Sequence, residues 1–245
     1  MDGTTLKHTA QWTAGLMDTL LRVLYPPLCM VCRAPGHDDL DICAPCRCEL
    51  PWFTRGCRLC ARVLPEGAGP VCGACLRRPP PFDATRAAFH YGPPLDRLVA
   101  AFKYRGRLAQ GRLLAQLWTE ALSAPTPLPD LILPVPLHPR RLRERGFNQA
   151  LELARPLART LDIPLAPALI RRVVPTPPQQ TLRGRERRRN VRHAFEIAPV
   201  LAAHPPRSVA LVDDVMTTGS TVDEIARVLK RAGVERVEVW VLARA

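Results

Sequence analysis

Lysine is nearly missing from this 245-residue chain: it stands only at Lys7, Lys103 and Lys230, so the formal net charge of +13 rests on arginine. Basicity of that kind carries a coding bias as well as any functional signal, and it suggests a polyanionic ligand without showing one. Long apolar runs are missing too. The stretch "WTAGLMDTLLRVLYPPL" is broken by Asp18 and Arg22 and has neither a basic start nor a small-residue cleavage site. A bilayer span and a signal peptide are therefore not expected, and a cytoplasmic protein is. No G-x-x-x-x-G-K-[ST] occurs, which excludes a P-loop nucleoside triphosphatase, and no G-x-G-x-x-G opens a helix. Cysteine is absent from the whole chain beyond Cys75.

What is present before Cys75 is correspondingly dense. All nine cysteines lie between Cys29 and Cys75, and eight of them form the pairs "CMVC", "CAPC", "CRLC" and "CGAC". A C-x-x-C turn presents two thiolates to one metal ion, and two such turns complete a tetrahedral site with Zn–S bonds of about 2.3 Å. The short loops "RAPGHDDLDI" and "ARVLPEGAGPV" favour sequential pairing, Cys29, Cys32, Cys43 and Cys46 around one zinc and Cys57, Cys60, Cys72 and Cys75 around a second, with interleaved pairing as the alternative. Disulfides would need an oxidising compartment, and a thioredoxin-like redox pair needs a single C-x-x-C in a βαβ setting. Closed tetrathiolate sites offer no open coordination position, so the zinc is expected to be structural. Cys48 is left over, either as a buried free thiol or as an alternative ligand to Cys46.

Upstream of the cysteines, Trp12, Leu16, Leu20 and Leu24 recur every fourth residue and predict an amphipathic helix. Downstream, "RRPPPFD" marks a change of pattern. "RAAFHY", "DLILPVP", "ALIRRVV", "RSVALVDD" and "RVEVWVL" read as strands, and "LDRLVAAFKY", "RLLAQLWTEAL", "NQALELARPLARTL" and "STVDEIARVLKRAG" as helices, the third with Pro156 inside it as an expected kink. Apolar strands alternating with helices predict an α/β fold with a doubly wound, mostly parallel sheet. At 47% apolar residues the chain is long enough for such a core plus a small satellite. The expected organisation is a helix over 1–25, a double zinc-ribbon domain over 26–80 and the α/β domain over 81–245.

The chemistry concentrates in "VALVDDVMTTGST", residues 209–221. The strand is apolar without alternation, as a strand buried on both faces should be, and it delivers Asp213 and Asp214 to the carboxyl end of the sheet, where ligands of such sheets bind. The turn that follows runs into a helix for which Thr221 and Glu224 predict a capping box. Backbone N–H groups, the positive end of the helix dipole and the hydroxyls of Thr217, Thr218, Ser220 and Thr221 compose a phosphate cradle, with Gly219 allowing close approach. Two carboxylates suit vicinal hydroxyls, and a cradle beside them suits a phosphate. The ligand this predicts is a ribose 5-phosphate unit.

The same thirteen residues resemble the phosphoribosyl pyrophosphate (PRPP) loop of type I phosphoribosyltransferases. "PVPLHPRRLRERGFNQA", "QQTLRGRERRRNVRHAF", "FHYGPPLDRLVAAFKYRG" and the cysteine pairs are similar to the ComF branch of that superfamily, so the resemblance covers nearly the whole chain. It implies a sheet of the type I phosphoribosyltransferase kind with an N-terminal zinc ribbon. By the same resemblance Asp213 and Asp214 meet the ribose hydroxyls, directly or through Mg²⁺, and act as the catalytic pair, while Thr217, Thr218, Gly219, Ser220 and Thr221 hold the 5-phosphate. The loop after "DLILPVP" binds pyrophosphate in these enzymes, which makes Arg140, Arg141 and Arg145 its candidates here.

The reaction so implied is displacement of pyrophosphate from ribose C1 by an acceptor that no motif names. Between Arg171 and Arg192 eight arginines face one acid, Glu186, a composition that fits a mobile flap over the site, a stripe for single-stranded DNA or a solvated surface. Stacking aromatics are absent from it, which speaks against sequence-independent single-strand binding. Three functions follow as alternatives: a phosphoribosyltransferase serving DNA uptake, a PRPP sensor without turnover, and a DNA-binding adaptor of the competence machinery.

Overall fold

The computed structural model describes residues 26–122, 127–174 and 193–245. The helix expected over 1–25 lies outside the described residues, as does 175–192, the greater part of the arginine stretch. The chain divides into two compact units, 1–50 and 51–245.

The first unit is built on cysteine turns. The Cys29 amide donates to the Ala34 carbonyl at 2.7 Å and the Arg33 amide returns to Cys29, closing a knuckle. Cys43 then precedes a single-turn helix, α1 (Ala44–Cys48), whose Pro45 sits where a missing N–H costs nothing. Among the described residues of this unit, Leu40, Ile42 and Leu50 are the buried apolar side chains other than cysteine. Three such side chains cannot hold residues 26–50 together by burial.

The second unit opens with the same device. The Cys57 amide donates to Arg62, the Ala61 amide donates back to Cys57, and Cys72 precedes α2 (Gly73–Arg77). From there the chain enters a four-stranded parallel sheet of β1 (Ala84–His90), β2 (Leu131–Pro134), β5 (Ser208–Met216) and β6 (Arg236–Arg244) in the order β1-β6-β5-β2. The strand that ends the chain is thus central, which explains why "RVEVWVLAR" is buried along almost its whole length. Connections run through α3 (Leu95–Arg105), α4 (Leu108–Ala121), α5 (Pro139–Arg145), α6 (Gln149–Leu161) and α8 (Ser220–Arg231). Helix α6 packs on β2 and β5 and against α4, while α8 packs on β6. Pro156 lies within α6.

"ALIRRVV" and the residues near Phe195 do not join this sheet. Strands β3 (Ile170–Arg172) and β4 (Phe195–Ile197) form a separate antiparallel ribbon, followed by the short α7 (Pro199–Ala203). The ribbon caps α8: the buried Glu224 carboxylate accepts from the His193 amide at 3.0 Å and from Arg227 at 2.9 Å. That use of Glu224 overturns the expected capping box with Thr221. The N-cap of α8 is Gly219 at φ +78°, and no side chain caps the helix.

Candidate functional site

Strand β5 carries its two acids to the carboxyl end of the sheet. Successive strand residues alternate faces, so Asp213 keeps the side of Leu211 and Asp214 turns toward α3. Each carboxylate is oriented by the next amide: Asp214 N donates to Asp213 Oδ1 at 2.9 Å and Val215 N to Asp214 Oδ1 at 2.6 Å. Asp214 is 3% exposed, and its Oδ2 lies 2.8 Å from Lys103 Nζ of α3. Burial raises the Asp213 carboxyl to about 7, with the neighbouring Asp214 charge adding to the shift and Lys103 opposing it. For Lys103 burial works to lower the ammonium pKa, but the two acids outweigh it and hold the group above its ordinary value.

Beyond Met216 the chain turns through Thr217 and Thr218, both exposed, into Gly219. Thr218 and Ser220 share a hydroxyl–hydroxyl hydrogen bond of 2.8 Å, and Ser220 N donates to Thr218 Oγ1 at 3.4 Å. Gly219 is required here because its φ of +78° lies in the left-handed region; a Cβ would also come within 2.9 Å of Met216 Cε, the flexible end of a side chain that can give way. Amides of the first turn of a helix have no acceptor within it, so the start of α8 presents backbone donors.

A cleft of about 660 Å³ joins these parts. Asp213, Asp214, Thr217 and Thr221 line it from the β5–α8 side, and Arg141 and Arg145 from α5. Arg145 lies over the Tyr104 ring, 5.6 Å from its centroid, and donates to the buried Gln149. Asn148 ties the region down: its Nδ2 donates to the Val135 carbonyl at 3.1 Å while its Oδ1 caps α6 at the Ala150 amide. Arg140, by contrast, is absent from the lining; it is 75% exposed and pairs with Glu144 at 3.0 Å. His138 caps α5, accepting from the Arg140 amide.

Among the lining residues that the sequence pattern did not single out are Lys103, Tyr104 and Arg172. Lys103 carried a signal. It follows Leu95, Val99 and Phe102 at helical spacing, so a rare lysine falls beside the apolar stripe of α3. Arg172, on β3, carried none, because nothing local distinguishes it from Arg171.

The eight paired cysteines gather into two groups, Cys29, Cys32, Cys43, Cys46 and Cys57, Cys60, Cys72, Cys75, with all ligand sulfurs of a group within 4.8 Å of one another. Sulfur–sulfur separations of 3.5 Å for Cys32–Cys43 and 3.7 Å for Cys60–Cys72 are close to the ~3.8 Å edge of a tetrahedron with zinc–sulfur bonds of about 2.3 Å. Amide groups point at sulfur in both, Cys32 N to Cys29 Sγ and Cys72 N to Cys57 Sγ. Burial works against ionising Cys29 and Cys57, but these and other backbone donors outweigh it and hold both thiols below the usual range. The donor set fits Zn²⁺. Cys48 is exposed and stands outside both groups, so it is neither a buried thiol nor a substitute for Cys46. Among the described residues no helix is long and apolar enough to cross a membrane.

Residues 20–76 match the double zinc ribbon domain family and residues 148–245 the phosphoribosyl transferase domain family. The chain is 39% identical to Competence protein F of Haemophilus influenzae over 223 residues, covering 89% of this chain and 96% of that one. It is 38% identical to DNA utilization protein YhgH of Escherichia coli K12 over 228 residues, 89% and 97% of the two chains. Competence protein ComFC of Bacillus subtilis is 29% identical over 203 residues, 80% of each. With a parallel α/β sheet, two four-cysteine zinc-binding sites and relatives matched over nearly their full length, the chain belongs to the ComF family of proteins with a double zinc ribbon and a phosphoribosyltransferase-type domain.

Proposed function

We propose that the protein binds PRPP in this cleft and transfers its phosphoribosyl group to an acceptor with release of pyrophosphate. The observation that carries the reading is one cleft lined by two adjacent acids, by Thr217 and Thr221 at the two ends of a hydroxyl-rich turn, and by a set of guanidinium groups. Asp213 and Asp214 accept hydrogen bonds from the ribose hydroxyls and stabilise the positive charge that develops at C1 as the bond to pyrophosphate breaks. Thr217, Thr218, Gly219, Ser220 and Thr221 receive the 5-phosphate. Arg141 and Arg145, with Lys103 beside them, face the side where negative charge grows on the leaving pyrophosphate; Arg140 points to solvent and has no part in it.

Mg²⁺ fits this donor set in the way it fits other phosphate ligands, through one or two carboxylates, here Asp213 and Asp214, completed by substrate oxygens. When bound it would neutralise charge on the pyrophosphate. The relatives are named for competence and DNA utilization, and we assign this chain to DNA uptake as well, with single-stranded DNA or the competence machinery as its partner.

Calorimetry with PRPP, ribose 5-phosphate and inorganic phosphate tests the reading. Asp213→Asn or Asp214→Asn should weaken PRPP about ten- to a hundred-fold, the worth of a hydrogen bond to a charged group, and leave inorganic phosphate near its wild-type affinity. If neither variant separates PRPP from phosphate, the acids do not read the sugar and the assignment fails. Pyrophosphate release in the presence of Mg²⁺ and a panel of bases and amines then tests turnover; PRPP binding without release for any acceptor makes the protein a sensor.

A further inference from the structure

One buried cation takes no part in the chemistry above. Arg244, at the end of the central strand β6, is 7% exposed, and its guanidinium spans two backbone carbonyls: Nε donates to Cys60 at 2.8 Å and Nη1 to Met216 at 2.9 Å. Met216 is the last residue before the Thr217–Thr221 turn, and Cys60 is a ligand of the second four-cysteine site. Two neighbouring carbonyls of the same knuckle are also held by the sheet. Thr85 N donates to Arg58 at 3.0 Å and Thr85 Oγ1 to Leu59 at 2.6 Å. Three consecutive carbonyls of the "CRLC" turn thus each receive a donor from β1 or β6.

A C-x-x-C knuckle keeps its backbone shape because the metal holds its two sulfurs. Where that shape aims the Cys60 carbonyl, it aims the Arg244 guanidinium, and with it the Met216 carbonyl from which the phosphate turn departs. A buried guanidinium left with one carbonyl instead of two would have to shift or recruit another acceptor, because an unsatisfied charged donor is costly. We propose that Arg244 is a positioning residue that couples the second zinc site to the phosphate-binding turn, so that zinc at Cys57, Cys60, Cys72 and Cys75 sets the affinity of the turn for its anion. The inference rests on the phosphoribosyl reading for the identity of the anion but not for the link itself.

Linkage supplies a test that leaves the four ligands of the second site unchanged: if zinc helps the anion, the anion must help the zinc by the same factor. In the full-length, zinc-loaded protein, saturating ribose 5-phosphate should slow transfer of one of the two zinc ions to a chelator several-fold. Arg244→Gln should erase that protection, and Arg244→Lys, which keeps the charge but replaces the two-nitrogen fork with a single ammonium, should restore part of it. Loss of the other zinc by Cys32→Ser is the internal comparison, since its remaining zinc should still be the protected one. Protection of both ions alike, or protection that survives in Arg244→Gln, overturns the proposal.

Hydrogen exchange of the segment Asp214–Asp223 without ligand separates this inference from the functional one. Cys75→Ser and Arg244→Gln should each raise exchange there about ten-fold or more over wild type. If wild type binds no ribose 5-phosphate yet exchange rises in this way, the phosphoribosyl reading falls and the link stands. Exchange unchanged in both variants overturns the link.

Discussion

The two four-cysteine sites are nearly the same in sequence and differ in what they hold. Both run C-x-x-C, a short loop and C-x-x-C, and both place the third cysteine just before a one-turn helix. Site one organises a unit in which the described residues bury few apolar side chains. The second belongs to the unit that carries the sheet, with Cys60 packed against the main apolar core and its knuckle bonded to Thr85 and Arg244. One ligand motif can therefore serve as the core of a small unit or as a clamp on a large one. Which it becomes depends on whether the backbone carbonyls of the knuckle meet donors from elsewhere in the fold.

The most forceful way to break this comparison is to remove the equivalent ligand from each site. Structural zinc contributes on the order of 10 kcal/mol to the folding of small metal-dependent units. Cys46→Ser should accordingly unfold 26–50 and leave the cooperative melting of 51–245 in place, whereas Cys75→Ser should lower the melting temperature of the sheet itself. Limited proteolysis and calorimetry distinguish the two, and equal effects on the sheet would mean that the sites are not different in kind. Elemental analysis should find about two zinc ions in wild type and about one in each variant.

Damage introduced from the other end of the clamp is expected to be nearly as large for binding. Gly219→Val puts a branched side chain at φ +78° and against Met216, so inorganic phosphate and PRPP should be lost together, each by about a hundred-fold or more. Zinc content should remain at two, because four thiolates hold the ion far more strongly than coupling to the turn can add or remove. Loss of zinc in Gly219→Val would mean that the turn is part of what holds the second site together.

A milder probe is pH. The Asp213 carboxyl is raised in the folded protein to about 7, by burial first and the Asp214 charge second. Its unfolded counterpart ionises near 4. Between these values the unfolded chain has lost a proton that the folded one keeps, so stability from this group falls as pH rises from about 4 to 7 and levels off above. Asp213→Asn should flatten that slope, recovering on the order of 2 kcal/mol at pH 8 relative to pH 5 in denaturant titrations followed at both values. A slope unchanged by the substitution would show that the acids are more solvated than their positions imply.

The smallest effect separates two arginines of one helix. Arg140 makes an exposed pair with Glu144 that contributes about 0–1 kcal/mol, and Arg140→Ala should leave PRPP binding almost untouched. Arg145 is half-buried beside Tyr104 and faces the cleft, so Arg145→Ala should weaken PRPP by about ten-fold or more. Equal losses would return the whole "RRLRER" run to a general electrostatic role.

Some of this architecture is written locally and some is not. The cysteine pairs, the alternation of apolar strands with amphipathic helices, and the acidic pair followed by a Thr-Thr-Gly turn are patterns within a few residues, and a period of two or of 3.6 needs no partner to be legible. The sequence by itself therefore determined the α/β class, the paired metal ligands and the end of the sheet at which a ligand is to be sought. Tertiary structure decided what pairing across the chain decides. It made the last strand central, set β3 and β4 aside as a ribbon, gave Glu224 to the His193 amide in place of a capping box, turned Arg141 and Arg145 but not Arg140 into the cleft, and brought Lys103 to Asp214 and Arg244 between Cys60 and Met216. These contacts join residues up to 184 positions apart. Each depends on strand register and on which buried donor lacks a nearer acceptor, quantities that exist only once the backbone has closed on itself.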